Sequence, residues 1–352
     1  MRLNFLRLVL LSLFIGMTIS CSSTVKKSRK PVSRLELSAE QINLGSSLTV
    51  NALVNAHGGS LQKVELFLDD KLIHSVAASE FSYEVPSMNE LGRHQLKIVA
   101  LKTDGQEGVN FKNVDVLSKT APRELKMKVV NSYPHNPKFF TEGYEIHNGR
   151  FYESTGEYGK SGIYEFDLKT GKTIREIPLD KKYFGEGMTI LNSKIYQLTY
   201  KAKTGFVYDY QSLKQLATFS YTNKEGWGMT NDGEQLMKSD GSEYIDFFDK
   251  DTYELTRRIA VCDNRGAIKN INELEYHDGA IYANVWMTDV VLKIDAQTGE
   301  VLAKIDCSAL RNLVGNPNQI DVLNGIAIDK SNGKIYLTGK YFDKTFEVVF
   351  EE

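Results

Sequence analysis

The chain has 352 residues, with 43 Lys and Arg against 45 Asp and Glu and a net charge of −2. That balance excludes the basic surplus by which nucleic-acid-binding proteins neutralise phosphates. The length predicts two domains.

Arg2 and Arg7 lead into an apolar run, Leu8 to Ile15, that is too short to cross a bilayer, and small or polar residues then lead to Cys21. The pattern resembles a bacterial lipoprotein signal. It implies removal of residues 1–20, lipidation of Cys21 and a membrane-anchored protein of the bacterial cell envelope, periplasmic or facing the outer membrane; ordinary secretion and an uncleaved anchor are the alternatives. Residues 21–32 are polar and basic, lack apolar residues to order them, and read as a linker.

From residue 33 to 118 come seven short strand-like runs, among them Ser47 to Val54, Val64 to Leu68 and His94 to Leu101, with Asp69-Asp70 marking a tight hairpin. Their number and spacing predict a small immunoglobulin-like β-sandwich, although the paired cysteines and Trp of antibody domains are absent. The segment carries no chemical motif and is expected to act as a spacer or docking module.

Residues 124–352 repeat one pattern five times. A turn and an apolar strand recur at His147 to Tyr152, Leu191 to Tyr196, Asn231 to Leu236, His277 to Tyr282 and Ser331 to Tyr336, with a period of about 40 to 54 residues. Each copy is followed by a further strand, turn and strand, as from Gly162 to Ile177. Repeats of this length, built of alternating strands and Gly, Asn or Asp turns, predict an all-β, five-bladed β-propeller. The fifth copy stops at Phe350 after three strands. Leu125 to Val130 alternates apolar with polar, has no partner of its own, and is predicted to complete that last blade and cover its open edge. Cys262 and Cys307 end successive repeats at the ring's periphery, where blades splay apart, so both are expected as free thiols.

Propeller ligands bind where loops from several blades converge. Segments rich in aromatic and amide groups precede the recurring turn: Phe140-Thr141-Glu142-Gly143, Phe184-Gly185-Glu186-Gly187, Glu225-Gly226-Trp227-Gly228, Asn272-Glu273-Leu274-Glu275 and Leu323-Asn324-Gly325. In register they align Glu142, Glu186, Trp227, Glu273 and Asn324. The glycines are expected to let backbones approach where the ring is crowded. A carboxyl at Glu186, between two glycines and beside Phe184, is expected to be desolvated, which raises its pKa and suits it to proton exchange near neutrality; the alternative is a plain acceptor of backbone hydrogen bonds. Asn284-Val285-Trp286 follows the fourth of these segments, so both tryptophans of the chain, Trp227 and Trp286, fall in the inner segments and predict an apolar pocket for a small ligand. His135 has no spaced Cys or His companions, so no metal or other cofactor is expected.

Taken together, Tyr133 to Lys340 resembles the plant and bacterial type of glutaminyl-peptide cyclotransferase, or glutamine cyclotransferase. The resemblance is carried by Tyr133-Pro134-His135, Phe140-Thr141, Phe184-Gly185-Glu186-Gly187, Gln197-Leu198-Thr199, Gly226-Trp227-Gly228, Ser239-Asp240-Gly241-Ser242, Asn272-Glu273-Leu274-Glu275, Asn284-Val285-Trp286 and Thr338-Gly339-Lys340. It implies cyclisation of N-terminal glutaminyl residues of peptides or proteins to pyroglutamate with release of ammonia, without metal; separately, a monomer is expected. Glu186 would transfer the proton, and Asn272 or Lys340 would steady the oxyanion. Phe140, Phe184, Trp227 and Trp286 would line the substrate site, with Glu142, Tyr200 and Asn324 beside them. The chain departs from the family pattern at Glu142, where Gln is expected, and at Tyr200, where Trp is. A non-catalytic propeller that binds peptides or another surface ligand is the main alternative, and a metal-dependent lactonase or esterase a third.

Overall fold

The computed structural model describes residues 28–352, so the leader, Cys21 and most of the linker lie outside the described residues. The described chain is all-β apart from one short 3₁₀ helix, Ser308–Asn312. No helix among the described residues is long and apolar enough to cross a membrane.

The first eight strands are β1 (Val32–Leu37), β2 (Gln41–Asn43), β3 (Leu48–Asn55), β4 (Leu61–Leu68), β5 (Lys71–Val76), β6 (Glu80–Val85), β7 (Gly92–Lys102) and β8 (Glu107–Leu117). They form two sheets, β1-β3-β6 and β2-β8-β7-β4-β5. Strict alternation explains the packing: Leu48, Val50, Ala52 and Val54 of β3 point inward and meet Val64, Leu66, Leu96 and Ile98 of the facing sheet. Asp69 and Asp70 have φ of 48° and 65°, as the two-residue turn between β4 and β5 requires. The structure has eight strands where seven runs are legible. β2 is three residues long and pairs in parallel with β8, too short for its alternation to register.

This unit is packed on the rest of the chain. Ala260 and Cys262 belong to its apolar core, a Cβ on Gly92 would lie 2.7 Å from the Cβ of Ala260, and the Ser118 amide and hydroxyl donate to Asp263 O at 3.2 Å and Glu300 Oε1 at 2.7 Å.

β9 (Arg123–Pro134) then precedes three four-stranded antiparallel sheets. The first is β10 (Thr141–His147), β11 (Arg150–Thr155), β12 (Gly162–Phe166) and β13 (Thr173–Pro178). The second is β14 (Gly185–Leu191), β15 (Lys194–Thr199), β16 (Thr204–Asp209) and β17 (Gln215–Ser220), and the third β18 (Met229–Asn231), β19 (Gln235–Ser239), β20 (Tyr244–Asp249) and β21 (Leu255–Ala260). The remaining strands are β22 (Ile271–His277), β23 (Ala280–Val285), β24 (Val290–Asp295), β25 (Val301–Asp306), β26 (Leu323–Asp329), β27 (Lys334–Gly339) and β28 (Lys344–Glu351).

β9 pairs antiparallel with β28 along Lys126 to Pro134, so it completes the last sheet as the sequence predicts. Its start also pairs in parallel with β25, over Arg123 to Lys126, which fuses β22–β25 and β26–β28 with β9 into one eight-stranded sheet. The first strands close a cycle: β10 lies against β14, β14 against β18, β18 against β22, β22 against β26 and β26 against β10. Where they meet, glycine is required by close approach. A Cβ on Gly187 would lie 2.4 Å from Met229 N, and one on Gly228 would lie 2.1 Å from Asn272 O. Cys262 and Cys307 are buried free thiols.

Candidate active site

Irregular pairing at the start of the innermost strands builds the site. In β10, Thr141 faces Thr155 and Gly143 faces Ser154, leaving Glu142 as an extra residue. The same bulge leaves Glu186 and Gly187 unpaired in β14, Asn272 and Glu273 in β22, and Asn324 and Gly325 in β26. A bulge bends its strand and re-aims the side chain it releases, here toward the ring axis. Glu142, Glu186 and Asn272 therefore sit in the first residues of strands, while Phe140, Phe184 and Trp227 lie in the segments just before them, as expected for loops.

A second group comes from the residues that follow the second strand of each sheet: Tyr200 after β15, Trp286 after β23 and Lys340 after β27. Backbone bonds tie these to the incoming segments, Tyr200 N to Phe184 O at 3.0 Å and Lys340 N to Val322 O at 3.0 Å. Together Phe140, Glu142, Phe184, Glu186, Tyr200, Trp227, Asn272, Trp286 and Lys340 enclose a cavity of about 200 Å³. Drug-sized ligands occupy roughly 300–1,000 Å³, so this one admits a single amino-acid residue.

One placement differs from the sequence register, and one residue that keeps its register does not line the cavity. Asn272, not Glu273, occupies the position equivalent to Glu186 and lines the cavity. Glu273 lies one residue further on and accepts the amides of Tyr144 (3.1 Å) and Ile326 (2.9 Å), bracing the ring across its axis. Asn324 is fully buried beside the cavity and does not line it; its Nδ2 donates to Thr141 O at 2.9 Å and to Glu142 Oε2 at 3.3 Å. Glu225 is a residue that sequence reading passed over. Its carboxylate accepts Trp227 Nε1–H at 3.0 Å and orients that indole. An acid two residues before an aromatic in an inner segment is the signal that was there to find it.

The aromatic walls are mutually braced. Trp227 and Trp286 meet edge to face at 5.7 Å, Phe140 and Phe184 at 6.0 Å, and Phe184 and Tyr200 lie 5.7 Å apart. Trp286 is 40% exposed and forms the rim.

The polar floor is a pair of buried carboxyls and one ammonium. Lys340 Nζ donates to Glu142 Oε1 at 2.8 Å and sits 4.2 Å over the Phe140 ring. Burial raises the pKa of Glu142, Lys340 pulls it back, and the result is about 7. Glu186 is held well above the ordinary carboxyl range, first by burial and then by the charge of Glu142. Two close carboxyls share one proton. Because Lys340 stands against Glu142, it favours the charge there and the shared proton on Glu186. The Oδ1 of Asn272 has no partner. Among the described residues, no group of three or more His, Cys, Asp or Glu is arranged to hold a metal ion. His135 engages Phe342 O at 2.7 Å and Glu153 Oε2 at 2.9 Å with its two ring nitrogens.

Below the cavity Glu145, Glu273 and Glu275 are buried as well, and burial raises the pKa of each, to about 8 for Glu275. An acid whose folded pKa exceeds its unfolded value favours the folded state fully below the unfolded value, 4.5 for these, and loses that contribution as pH rises through the folded one. The melting temperature is therefore expected to rise as pH is lowered from 8.5 to 5.5. It should fall again in stronger acid, below the ordinary carboxyl range, where Asp115 and Asp263, whose pKa values are lowered by Arg93 and Lys304 against the effect of burial, become protonated. Calorimetry across this range checks the sign.

Residues 98–350 match the family model of glutamine cyclotransferase, a match that begins within β7. Over 230 residues, 64% of this chain and 72% of the relative, the sequence is 36% identical to the glutaminyl-peptide cyclotransferase of Arabidopsis thaliana. The crystal structure of Myxococcus xanthus glutaminyl cyclase is similar with a TM-score of 0.62 at 33% identity, over 65% of this chain and 98% of that one. The cavity residues lie within these bounds, and the chain belongs to the glutamine cyclotransferase family.

Proposed function

We propose that the protein cyclises the N-terminal glutaminyl residue of peptides and proteins to pyroglutamate with release of ammonia, using Glu186 as the proton shuttle. The observation that carries this reading is a buried carboxyl at Glu186, its pKa held well above the ordinary carboxyl range by burial, in an aromatic cavity of single-residue size beside Asn272. Membership of the family supports the reaction itself.

The reaction needs the substrate's α-amine to attack its own side-chain carboxamide. Aromatic walls on several sides hold the glutamine bent back on itself, and such placement contributes about 7–11 kcal/mol in well-oriented intramolecular reactions. As the C–N bond forms, negative charge moves onto the carboxamide oxygen, and Asn272 donates to it. Lys340 is committed to Glu142 and governs charge in the floor. Glu186 gives its proton to the departing nitrogen, and its carboxylate takes one from the ring nitrogen, so it ends as it began.

Asn272→Ala is expected to lower kcat by about 10²–10³ with little change in KM, as removal of an oxyanion donor does. An unchanged kcat would remove it from that role.

In the same reading the ring of residues 124–352 is a five-bladed propeller in which the eight-stranded sheet counts as two blades, joined through β25 and β9, and residues 33–118 form an immunoglobulin-like sandwich. The closed cycle of β10, β14, β18, β22 and β26 supports the count. An experimental map with another number of sheets around the axis would overturn it.

Ammonia release from a Gln-initiated dipeptide tests the activity. Release that scales with enzyme is the expected result. Tight binding with no release anywhere between pH 6 and 9 would make the protein a binding module.

A further inference from the structure

We propose that Tyr158 and Tyr341 form a collar outside the cavity that receives the side chain of the substrate's second residue, so that the enzyme prefers an N-terminal glutamine followed by an aromatic residue. The proposal rests on the cyclase reading above. A cavity of about 200 Å³ holds one residue, so the rest of the peptide leaves across its mouth. What stands at the mouth therefore meets the second residue first.

Two phenylalanines of the cavity wall each carry a tyrosine. Tyr158 meets Phe184 edge to face at 5.5 Å, and Tyr341 meets Phe140 at 5.3 Å. Neither tyrosine lines the cavity itself, so the pair forms a second tier behind the Phe140 and Phe184 rings. Tyr158 is 61% exposed, yet its loop between β11 and β12 is clamped. Gly156 N–H donates to Phe140 O at 2.7 Å, Ser161 Oγ–H to Glu157 O at 2.7 Å, and Gly185 N–H to Ser161 Oγ at 2.9 Å. A Cβ on Gly156 would lie 2.4 Å from the Phe184 ring, so the loop rests directly on the wall that it extends. Glu157 takes a φ of 76°, uncommon for a residue with a side chain, and Lys160 Nζ holds its carboxylate at 3.0 Å. On the other side Tyr341 N–H donates to Phe139 O at 2.8 Å. Large aromatic side chains on fixed backbone, left uncovered, offer a partner contact area at little cost in conformational entropy.

An aromatic second residue gains ring contacts of the kind that already join Tyr158 to Phe184, whereas glycine in that place gains none. Such a contact amounts to about tenfold in affinity once its area is counted. It lies away from the reacting atoms, so it acts alike on the bound substrate and the transition state and appears in KM with kcat unchanged. Burial and the neighbouring Glu157 push the Tyr341 hydroxyl up to about 12, so Tyr341 is neutral throughout pH 6 to 9 and the preference should not vary with pH.

The test is the ratio of kcat/KM for Gln-Phe to that for Gln-Gly, in the wild type, Tyr158→Ser, Tyr158→Phe and Tyr341→Asn. A wild-type ratio of about ten, carried by KM, is expected. Tyr158→Ser should bring it to within about twofold of one, and Tyr158→Phe should keep it, because the ring and not the hydroxyl makes the contact. Tyr341→Asn, whose side chain suits the φ of 62° there, should also lose most of it and is read in place of Tyr158→Ser if that variant does not fold. A ratio near one in the wild type would overturn the proposal without any variant. So would an unchanged ratio in the variants, with both substrates slowed alike, since the tyrosines would then merely prop the phenylalanine wall. Absence of turnover of both peptides by the wild type is a different outcome, and sinks the cyclase reading instead.

Discussion

Glu186→Gln is expected to lower kcat by about 10²–10⁴ while the peptide still binds. The substitution is nearly isosteric and puts a neutral amide where a neutral acid stands at pH 7, so neither the shape of the cavity nor the burial of charge changes. Only the transferable proton is lost. Stability should hold at pH 7 and rise relative to the wild type at higher pH, since a buried acid with a raised pKa has been removed. Steady-state kinetics with a melting curve at two pH values checks both halves. Near-normal turnover would take Glu186 out of the mechanism, and a collapsed melting temperature would show that its role is structural.

Gly228→Ala is expected to damage fold and catalysis together. A Cβ there would lie 2.1 Å from Asn272 O and 2.8 Å from Glu273 Cα, and both belong to backbone that cannot rotate away. The same carbonyl accepts Ser239 Oγ–H at 2.7 Å, and Ser239 Oγ accepts Gly228 N–H at 2.8 Å, so the contact is fixed from both sides. Overpacking of this kind costs about 1–3 kcal/mol or more. Because the displaced residue is the proposed oxyanion donor, kcat should fall further than the loss of folded protein explains. Gly266→Ala is the control. Its Cβ would meet nothing within 4 Å, and its effect should stay within about 0.5 kcal/mol.

Much of the site was legible because its residues are unusual for where they stand. Tryptophan is a core residue in most sheets, yet both tryptophans here fall in the inner segments, and all nine side chains that enclose the cavity come from positions the sequence singles out. What the sequence hides is the bulge. An extra residue in a strand leaves the alternation intact on either side and merely shifts it, so Glu273 reads as the match of Glu186 when Asn272 is. The same concealment made Glu142, Glu186 and Asn272 look like loop residues. Asn324 was placed in the site by register, but its strand turns it under Glu142, where it shapes the carboxyl without meeting the cavity. The fusion of β9 with β25 was also invisible. Parallel edge pairing uses only four residues at the start of β9 and leaves no pattern in the chain, whereas the antiparallel pairing of β9 with β28 runs its whole alternating length.

The charge state of Glu186 is the point on which the mechanism turns. Infrared difference spectra of wild type against Glu186→Gln at pH 7 read it directly, because a protonated carboxyl and a carboxylate absorb at well-separated frequencies. A protonated-carboxyl band present in the wild type and missing from the variant is the predicted result. A carboxylate band in its place would contradict the shuttle, since Glu186 would then have no proton to give the departing nitrogen.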